Sequence, residues 1–346
     1  MAGETILVVG GAGYIGSHMV KDLVRADKNV VVLDNLSRGH RDLVPGGVFV
    51  EGDLGDSTLL DRVFSEYKID AVMHFAAYSL VGESVESPLA YYRNNISRTI
   101  ELLEAMIRHA VRRFIFSSTA AVYGEPESLP ITEEHPCRPT NPYGESKLAV
   151  EQLLADCARA GDLQYVSLRY FNAAGADVSG DLGERHGPET HLIPLVLQAA
   201  LGEREGIQVF GTDYPTSDGT CLRDYVHVSD LTRAHLLALQ RLTSGGNNAI
   251  YNLGNSKGYS VREVIETARR VTGHSIPTVA SGRRAGDPAV LVADSGKIRG
   301  ELGWKPRYED LQTIIETAWV WHQREAQRKK NHRSETAVDL QVPAKD

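Results

Sequence analysis

Cysteine is scarce in this 346-residue chain: three residues, Cys137, Cys157 and Cys221, widely spaced and odd in number. No C-x-x-C pair occurs, so neither a disulfide framework nor a cysteine-rich metal site is expected. No metal ligands are assigned, and a reducing cytoplasm suits such usage. Uninterrupted apolar runs of the ~18 residues that a membrane-spanning helix needs are missing. Positive charge is not in excess either: 37 Lys+Arg stand against 45 Asp+Glu, a net charge of −8. That balance, with no basic stripe, argues against nucleic acid and membrane surfaces as partners. The first residues, Met1-Ala2-Gly3-Glu4-Thr5, carry no basic segment, so secretion is not expected.

What remains is an ordinary globular composition, 42% hydrophobic and 24% charged, in a length that suggests two domains. The first half alternates short apolar runs with amphipathic stretches. Thr5–Val9, Asn29–Leu33, Ala71–Phe75, Arg113–Ser117 and Tyr165–Tyr170 read as strands buried on both faces. Helical patterns near Tyr14–Ala26, Thr58–Tyr67, Pro88–His109 and Tyr143–Arg159 separate them. Repeated strand–helix–strand order predicts an α/β fold, a Rossmann-type doubly wound parallel sheet.

After Phe171 glycine and proline interrupt the rhythm. Helices are expected at His191–Leu201, Ser229–Leu242 and Asp310–Arg328, and a capping box at Ser260-Val261-Arg262-Glu263 opens another that Gly273 closes. Ala249–Leu253 reads as a strand returning to the main sheet. The expected division is a nucleotide-binding domain over 1–175, with 226–256 returning to it. A smaller α+β domain follows over 176–330, and a disordered tail over 331–346.

Directly after the first strand, Gly10, Gly13 and Gly16 stand in a G-x-x-G-x-x-G spacing that leads into a helix. Glycine is required where backbone turns tightly and approaches a pyrophosphate, and the helix N-terminus then offers free N–H groups to the anion. The second strand ends in Asp34, whose carboxylate would accept from an adenosine ribose and repel a 2′-phosphate, favouring NAD over NADP. Asp53, closing the third strand, is placed to reach the adenine.

Tyr143-Gly144-Glu145-Ser146-Lys147 puts a phenol and an ammonium at i and i+4, on one helical face. A phenol with pKa ~10 becomes a useful base near neutrality only if the phenolate gains about 4 kcal/mol. One cation ~4 Å away at an effective dielectric of ~20 supplies about that much. Lys147, helped by an oxidised nicotinamide ring, is the candidate cation, and Thr119, after Ser117-Ser118, would orient a substrate oxygen beside Tyr143. The combination predicts a redox site.

Further motifs narrow the kinship: His74-Phe75-Ala76-Ala77, Val81-Gly82-Glu83-Ser84, Tyr91-Tyr92-Arg93-Asn94-Asn95, Val122-Tyr123-Gly124, Arg169-Tyr170-Phe171-Asn172, Phe210-Gly211-Thr212-Asp213-Tyr214-Pro215 and Arg223-Asp224-Tyr225-Val226-His227. With these, residues 5–325 resemble the extended short-chain dehydrogenase/reductase family, in its UDP-glucose 4-epimerase branch. The resemblance implies an isomerase for carbohydrate metabolism that interconverts UDP-galactose and UDP-glucose through a 4-keto sugar, with tightly held NAD recycled each turnover. It implies cofactor contacts from Gly10, Gly13, Tyr14, Ile15, Gly16, Asp34, Asn35, Asp53, Leu54, Phe75, Ala76, Ala77, Asn95, Tyr143, Lys147 and Tyr170. Substrate contacts fall to Thr119, Tyr143, Asn172, His191, Leu192, Gln208, Phe210, Arg223, Arg284 and Asp287. The two arginines suit a diphosphate, because guanidinium pairs such oxyanions bidentately.

Related dehydratases carry an acid pair just after the catalytic threonine and decarboxylases a Glu; here Ala120 and Ala121 stand there, which favours epimerisation. A 4-epimerase for UDP-glucuronate or UDP-N-acetylgalactosamine is the alternative, with Leu291 at the position that gates N-acetyl groups. Ser79 replaces a lysine, and His191 an asparagine, of other members. A binding module without activity would lack Tyr143 or Lys147. In the relatives the Pro88–His109 and Tyr143–Arg159 helices pair into a homodimer, for which Leu102, Leu103, Met106, Leu148, Leu153 and Leu154 are apolar enough, though an intramolecular core explains them equally.

Overall fold

The structure, a computed structural model, describes residues 3–284 and 287–339. Six strands and their connections build the first half: β1 (Thr5–Val9), β2 (Asn29–Asp34), β3 (Val48–Glu51), β4 (Ala71–His74), β5 (Arg113–Thr119) and β6 (Gln164–Tyr170). Shorter strands follow: β7 (Asn172–Ala174), β8 (Ile207–Phe210), β9 (Leu222–His227), β10 (Ala249–Leu253), β11 (Gly258–Ser260), β12 (Thr278–Ser281) and β13 (Val290–Leu291). The helices are α1 (Tyr14–Arg25), α2 (Ser57–Tyr67), α3 (Val81–Glu86), α4 (Pro88–Tyr92), α5 (Arg98–Arg108), α6 (Pro142–Ala160), α7 (Leu192–Ala200), α8 (Val228–Thr243), α9 (Val261–Thr272), α10 (Gly296–Leu302) and α11 (Leu311–Asp339).

The principal sheet has seven parallel strands in the order β10-β6-β5-β4-β1-β2-β3. Strand order reverses on either side of β1, and in doubly wound sheets that reversal opens a crevice beyond the strands' carboxyl ends. Near-continuous apolar strands bury both faces. Val8, Met73 and Ile115 pack with Leu23 of α1 and Leu231 and Ala238 of α8. On the other face Leu7, Val72 and Phe114 pack with Leu60 of α2, Leu102 of α5 and Leu154 of α6.

β10 joins this sheet beside β6, in register Ala249↔Val166 to Leu253↔Tyr170, although the two residues of each pair are 83 positions apart. The intervening chain builds the smaller layer. There β9 is flanked by β11 and β13 and also pairs with β7, while β8 pairs with β12. Its separate core joins Val196 and Leu197 of α7, Val264 and Ile265 of α9, and Ile314 and Ile315 of α11.

Two local expectations need correction. The Pro88–His109 pattern is not one helix: residues 93–97 form a π turn between α4 and α5. That wider turn carries Asn95 inward, where its amide bonds Tyr78 and Ser146. The last helix runs past Arg328 to Asp339, since Lys329–Asp339 holds no Gly or Pro to stop it. Residues 340–346 of the tail expected to be disordered lie outside the described residues.

Candidate active site

A cleft of about 540 Å³ opens at the carboxyl ends of β1, β2, β4, β5 and β6. Its first wall is the turn from β1 into α1. Gly10 lies at φ 78°, where a side chain would be strained, and a Cβ there would strike the Ala76 nitrogen at 2.5 Å. A Cβ on Gly16 would sit 2.1 Å from the Gly10 carbonyl oxygen. Glycine at both positions therefore lets the loop, the helix and the Phe75–Ala76 segment close on one another. No side chain caps the N-terminus of α1, so its first N–H groups remain for an anion in the cleft.

Asp34 follows at the tip of β2, 9% exposed. Its carboxylate accepts from the Ala12 and Leu36 backbone N–H groups, each at 2.9 Å, and burial pushes its carboxyl above the ordinary range against those bonds. Asp53 lines the same end; Asn35 Nδ2 donates to it at 2.7 Å and Arg98 Nε lies 2.9 Å away. A ribose and an adenine would meet oriented carboxylates here. The uncapped helix end, the glycine cradle and Asp34 together fit a dinucleotide.

The reactive end of the cleft carries Thr119, Tyr143, Lys147, Tyr170 and Asn172. Asn141 caps α6 by accepting from Gly144 N–H at 2.9 Å, and this sets Tyr143 and Lys147 one turn apart on its first turns. Thr119 Oγ1 accepts from Ala121 N–H at 3.1 Å, and its hydroxyl lies beside the Tyr143 phenol. Burial dominates the electrostatics of the Tyr143–Lys147 pair, for which the expectation joined Lys147 to an oxidised nicotinamide ring. Burial pushes the Tyr143 phenol up, against the lowering effect of the Thr119 hydroxyl. Burial also pulls the Lys147 ammonium down to about 7, opposed by Glu151. Lys147 Nζ donates to the Ser117 carbonyl at 2.8 Å and lies over the Phe116 ring. Tyr170, fully inside, bonds His235 Nε2 at 2.5 Å.

Gly10, Gly13, Tyr14, Ile15, Gly16, Asn35, Leu54, Phe75, Ala76, Ala77, Ser79 and His191 also line this cleft. The Tyr14 side chain turns away to donate to the Gly175 carbonyl at 2.7 Å. Asn95 does not line it; it lies beneath, pinning Tyr78, which does. Leu192, Gln208, Phe210, Arg223, Arg284 and Asp287 also lie off the lining. Arg223 pairs with Asp287, and the Arg284 guanidinium sits 4.1 Å over the Phe210 ring. Gln208 is exposed on β8. Leu291 packs beside Phe171 against the Tyr123 and Ile131 cluster.

Two features escaped the sequence reading. A buried network, Glu151 with Arg169 at 2.6 Å and Ser118 at 2.5 Å, anchors the end of β5 from below. The second is the run Glu184-x-His186-x-x-Glu189-x-His191, whose alternating acids and imidazoles were a visible signal.

Comparison with known proteins places this geometry. Residues 6–254 match the NAD dependent epimerase/dehydratase family. A UDP-glucose 4-epimerase of Halalkalibacterium halodurans is 56% identical over 317 residues, 92% of this chain and 95% of that protein. The crystal structure of UDP-glucose 4-epimerase from Brucella ovis in complex with NAD is 51% identical with a TM-score of 0.90, covering 91% of this chain and 97% of that one. The Bifidobacterium longum enzyme, solved with NAD+ and UDP, is 41% identical with a TM-score of 0.88, over 93% and 99%. Fold, glycine loop and Tyr–Lys helix thus come with near-complete coverage, and the chain belongs to the NAD dependent epimerase/dehydratase family.

Proposed function

We propose that this chain is an NAD-dependent isomerase that interconverts UDP-galactose and UDP-glucose at C4. The observation that carries the reading is the Tyr143 phenol, beside Thr119 and Lys147 at the floor of the cleft that begins at the glycine loop and Asp34. Gly10, Gly13, Gly16 and Asp34 would hold the cofactor's diphosphate and ribose, and Lys147 and Tyr170 flank its reactive end. NAD bound there supplies the hydride acceptor and, later in the same turnover, the hydride donor for C4.

The protein's own part is proton handling and orientation. Thr119 Oγ1 aligns the sugar 4-hydroxyl on Tyr143 Oη, which takes its proton as C4 becomes a ketone and returns one when C4 is reduced on the opposite face. Lys147 stabilises the phenolate while its ammonium stays anchored on the Ser117 carbonyl. Ala120 and Ala121, next in the chain, hold no proton. A second proton transfer, as dehydration requires, therefore finds no donor in that segment. Arg223 is the proposed diphosphate partner: the substrate's oxyanions would compete with Asp287 for its guanidinium. The test is conversion of UDP-galactose to UDP-glucose by the purified protein without added NAD. Turnover under those conditions establishes the reaction together with a resident cofactor. Failure that persists after NAD is added removes this substrate pair.

UDP-N-acetylgalactosamine is a second reading, because Leu291, only part-buried against Tyr123, is smaller than an aromatic gate. UDP-glucuronate would need a further cation near C6. No described helix is long and apolar enough to cross a membrane, and the three cysteines are free; we assign the protein to a reducing cytoplasm. We further propose a homodimer. Leu102, Leu103, Met106 and Leu154 are core residues, so they do not form its surface. Val85, Leu89, Tyr92 and Ile100 on α3, α4 and α5 are exposed and apolar and supply one. A monomeric mass by light scattering at micromolar concentration would contradict it.

A further inference from the structure

Glu184, His186, Glu189 and His191 converge at the rim of the cleft, in the connection that leads into α7. One ligand-type atom from each lies within 4.8 Å of the other three. Around the ring the separations are 3.1 Å from Glu184 Oε1 to His186 Nδ1 and 3.6 Å from His186 Nδ1 to Glu189 Oε2. They continue at 3.2 Å from Glu189 Oε1 to His191 Nδ1 and 2.7 Å from His191 Nδ1 back to Glu184 Oε1. Donor atoms about 2.0–2.1 Å from a tetrahedral ion stand about 3.3 Å from one another. The four spacings around the ring, which use both oxygens of Glu189, bracket that value, and every pair of the four-atom set stays within 4.8 Å.

The surroundings favour a cation at the centre. Both glutamate side chains are only 6% exposed, and among the described residues no lysine or arginine lies within ion-pair distance of either. Nearby guanidinium groups are committed elsewhere: Arg185 to Asp42 and Glu325, Arg38 to Glu83. Two buried carboxylates side by side are costly unless positive charge is supplied between them, by the protonated His186 and His191 rings or by a cation that takes the place of their protons. His186 Nδ1 is buried and meets no acceptor in hydrogen-bond geometry, although Glu184 is 3.1 Å away.

We propose that Glu184, His186, Glu189 and His191 form a binding site for a zinc-type divalent cation. Two imidazole nitrogens and two carboxylate oxygens are a zinc donor set, and the two carboxylate charges balance the ion. Four protein ligands complete a tetrahedral shell, so the ion is structural rather than catalytic. It staples the chain from 184 to 191, which forms one wall of the cleft. It also fixes His191, the N-cap residue of α7, and seats the His186 ring, 6.4 Å from that of Tyr14 at the start of α1.

The test uses the full chain with its bound cofactor, treated with a chelator and titrated with cobalt chloride. One cobalt per chain with the intense visible absorption of a tetrahedral site, displaced by zinc chloride, is expected. Zinc should raise the melting temperature of the wild type. His186→Ala and Glu189→Gln should each weaken cobalt binding by more than about 100-fold, since even outer-shell changes at metal sites cost 10–100-fold. Folded protein that binds no cobalt at micromolar concentration, or shows only weak octahedral-type absorption, overturns the proposal. Should the variants not fold, anomalous diffraction at the zinc edge on wild-type crystals decides it: a peak among the four side chains supports the site, and its absence after zinc soaking overturns it. The assay does not depend on sugar conversion, so its outcome is separate from that of the epimerase reading.

Discussion

The floor of the cleft and its outer wall are built on different principles. On the floor Asp34, Thr119, Tyr143 and Lys147 are held by backbone or by a side chain only a few residues away. Asp34 is set by two N–H groups, Tyr143 and Lys147 by a capped helix, and Thr119 by the end of a strand paired over seven residues. The outer part, beyond the lining itself, is assembled from separated segments whose charges hold one another: Arg223 with Asp287, Arg185 with Glu325, Lys21 with Asp177. A ligand can dock on the floor without breaking anything. On the wall it must take over ion pairs that already exist.

That contrast breaks most sharply at Tyr143. Tyr143→Phe removes one oxygen from a half-buried ring and leaves the glycine loop and Asp34 untouched. NAD should remain with the protein through gel filtration while turnover of UDP-galactose falls by about 10²-fold or more. A near-normal rate would take the phenol out of the chemistry. Arg223→Ala attacks the wall instead. Loss of a charge-assisted hydrogen bond is worth about 1.5–3 kcal/mol, so KM for UDP-galactose should rise about 10- to 100-fold with kcat changed much less and NAD retention unaltered. An unchanged KM would mean that Arg223 serves only Asp287.

The same division governs what could be read in the sequence. The glycine spacing, the acid at the tip of β2 and the Tyr143–Lys147 pair each occupy a few consecutive residues, and local geometry converts them directly into three dimensions. The strand–helix alternation did the same for the sheet, because strands buried on both faces leave long apolar runs. Other features depend on partners far along the chain. Asn95 is a supporting residue rather than part of the lining because a π turn rotates it toward Tyr78 and Ser146, and nothing in Arg93–Ser97 announces that turn. Arg223 meets a carboxylate 64 positions away. The Ser117 carbonyl that anchors Lys147 lies 30 positions earlier in the chain, and burial pulls that ammonium down. Burial and long-range pairing are tertiary quantities, so residue type and spacing do not carry them.

The smallest expected effect tests the seam between the two regions. Lys21 on α1 donates to Asp177, just after β7, at 2.7 Å, and Ser179 N–H donates to the same oxygen at 2.9 Å. Burial pushes the Asp177 carboxyl up, but these bonds outweigh it and hold it down at about 2. A carboxyl depressed in the folded state binds its proton less readily there than in the unfolded chain. Its stabilisation is therefore complete above the ordinary value of 3.8 and fades as pH falls from there toward about 2. Part-exposed pairs of this kind contribute roughly 1 kcal/mol or less. Asp177→Asn should thus lower the melting temperature slightly at pH 6, and the gap from wild type should close between pH 4 and pH 2. A gap that stayed constant over that range would assign the Asp177 contribution to packing, leaving the Lys21 pair without weight in joining floor to wall.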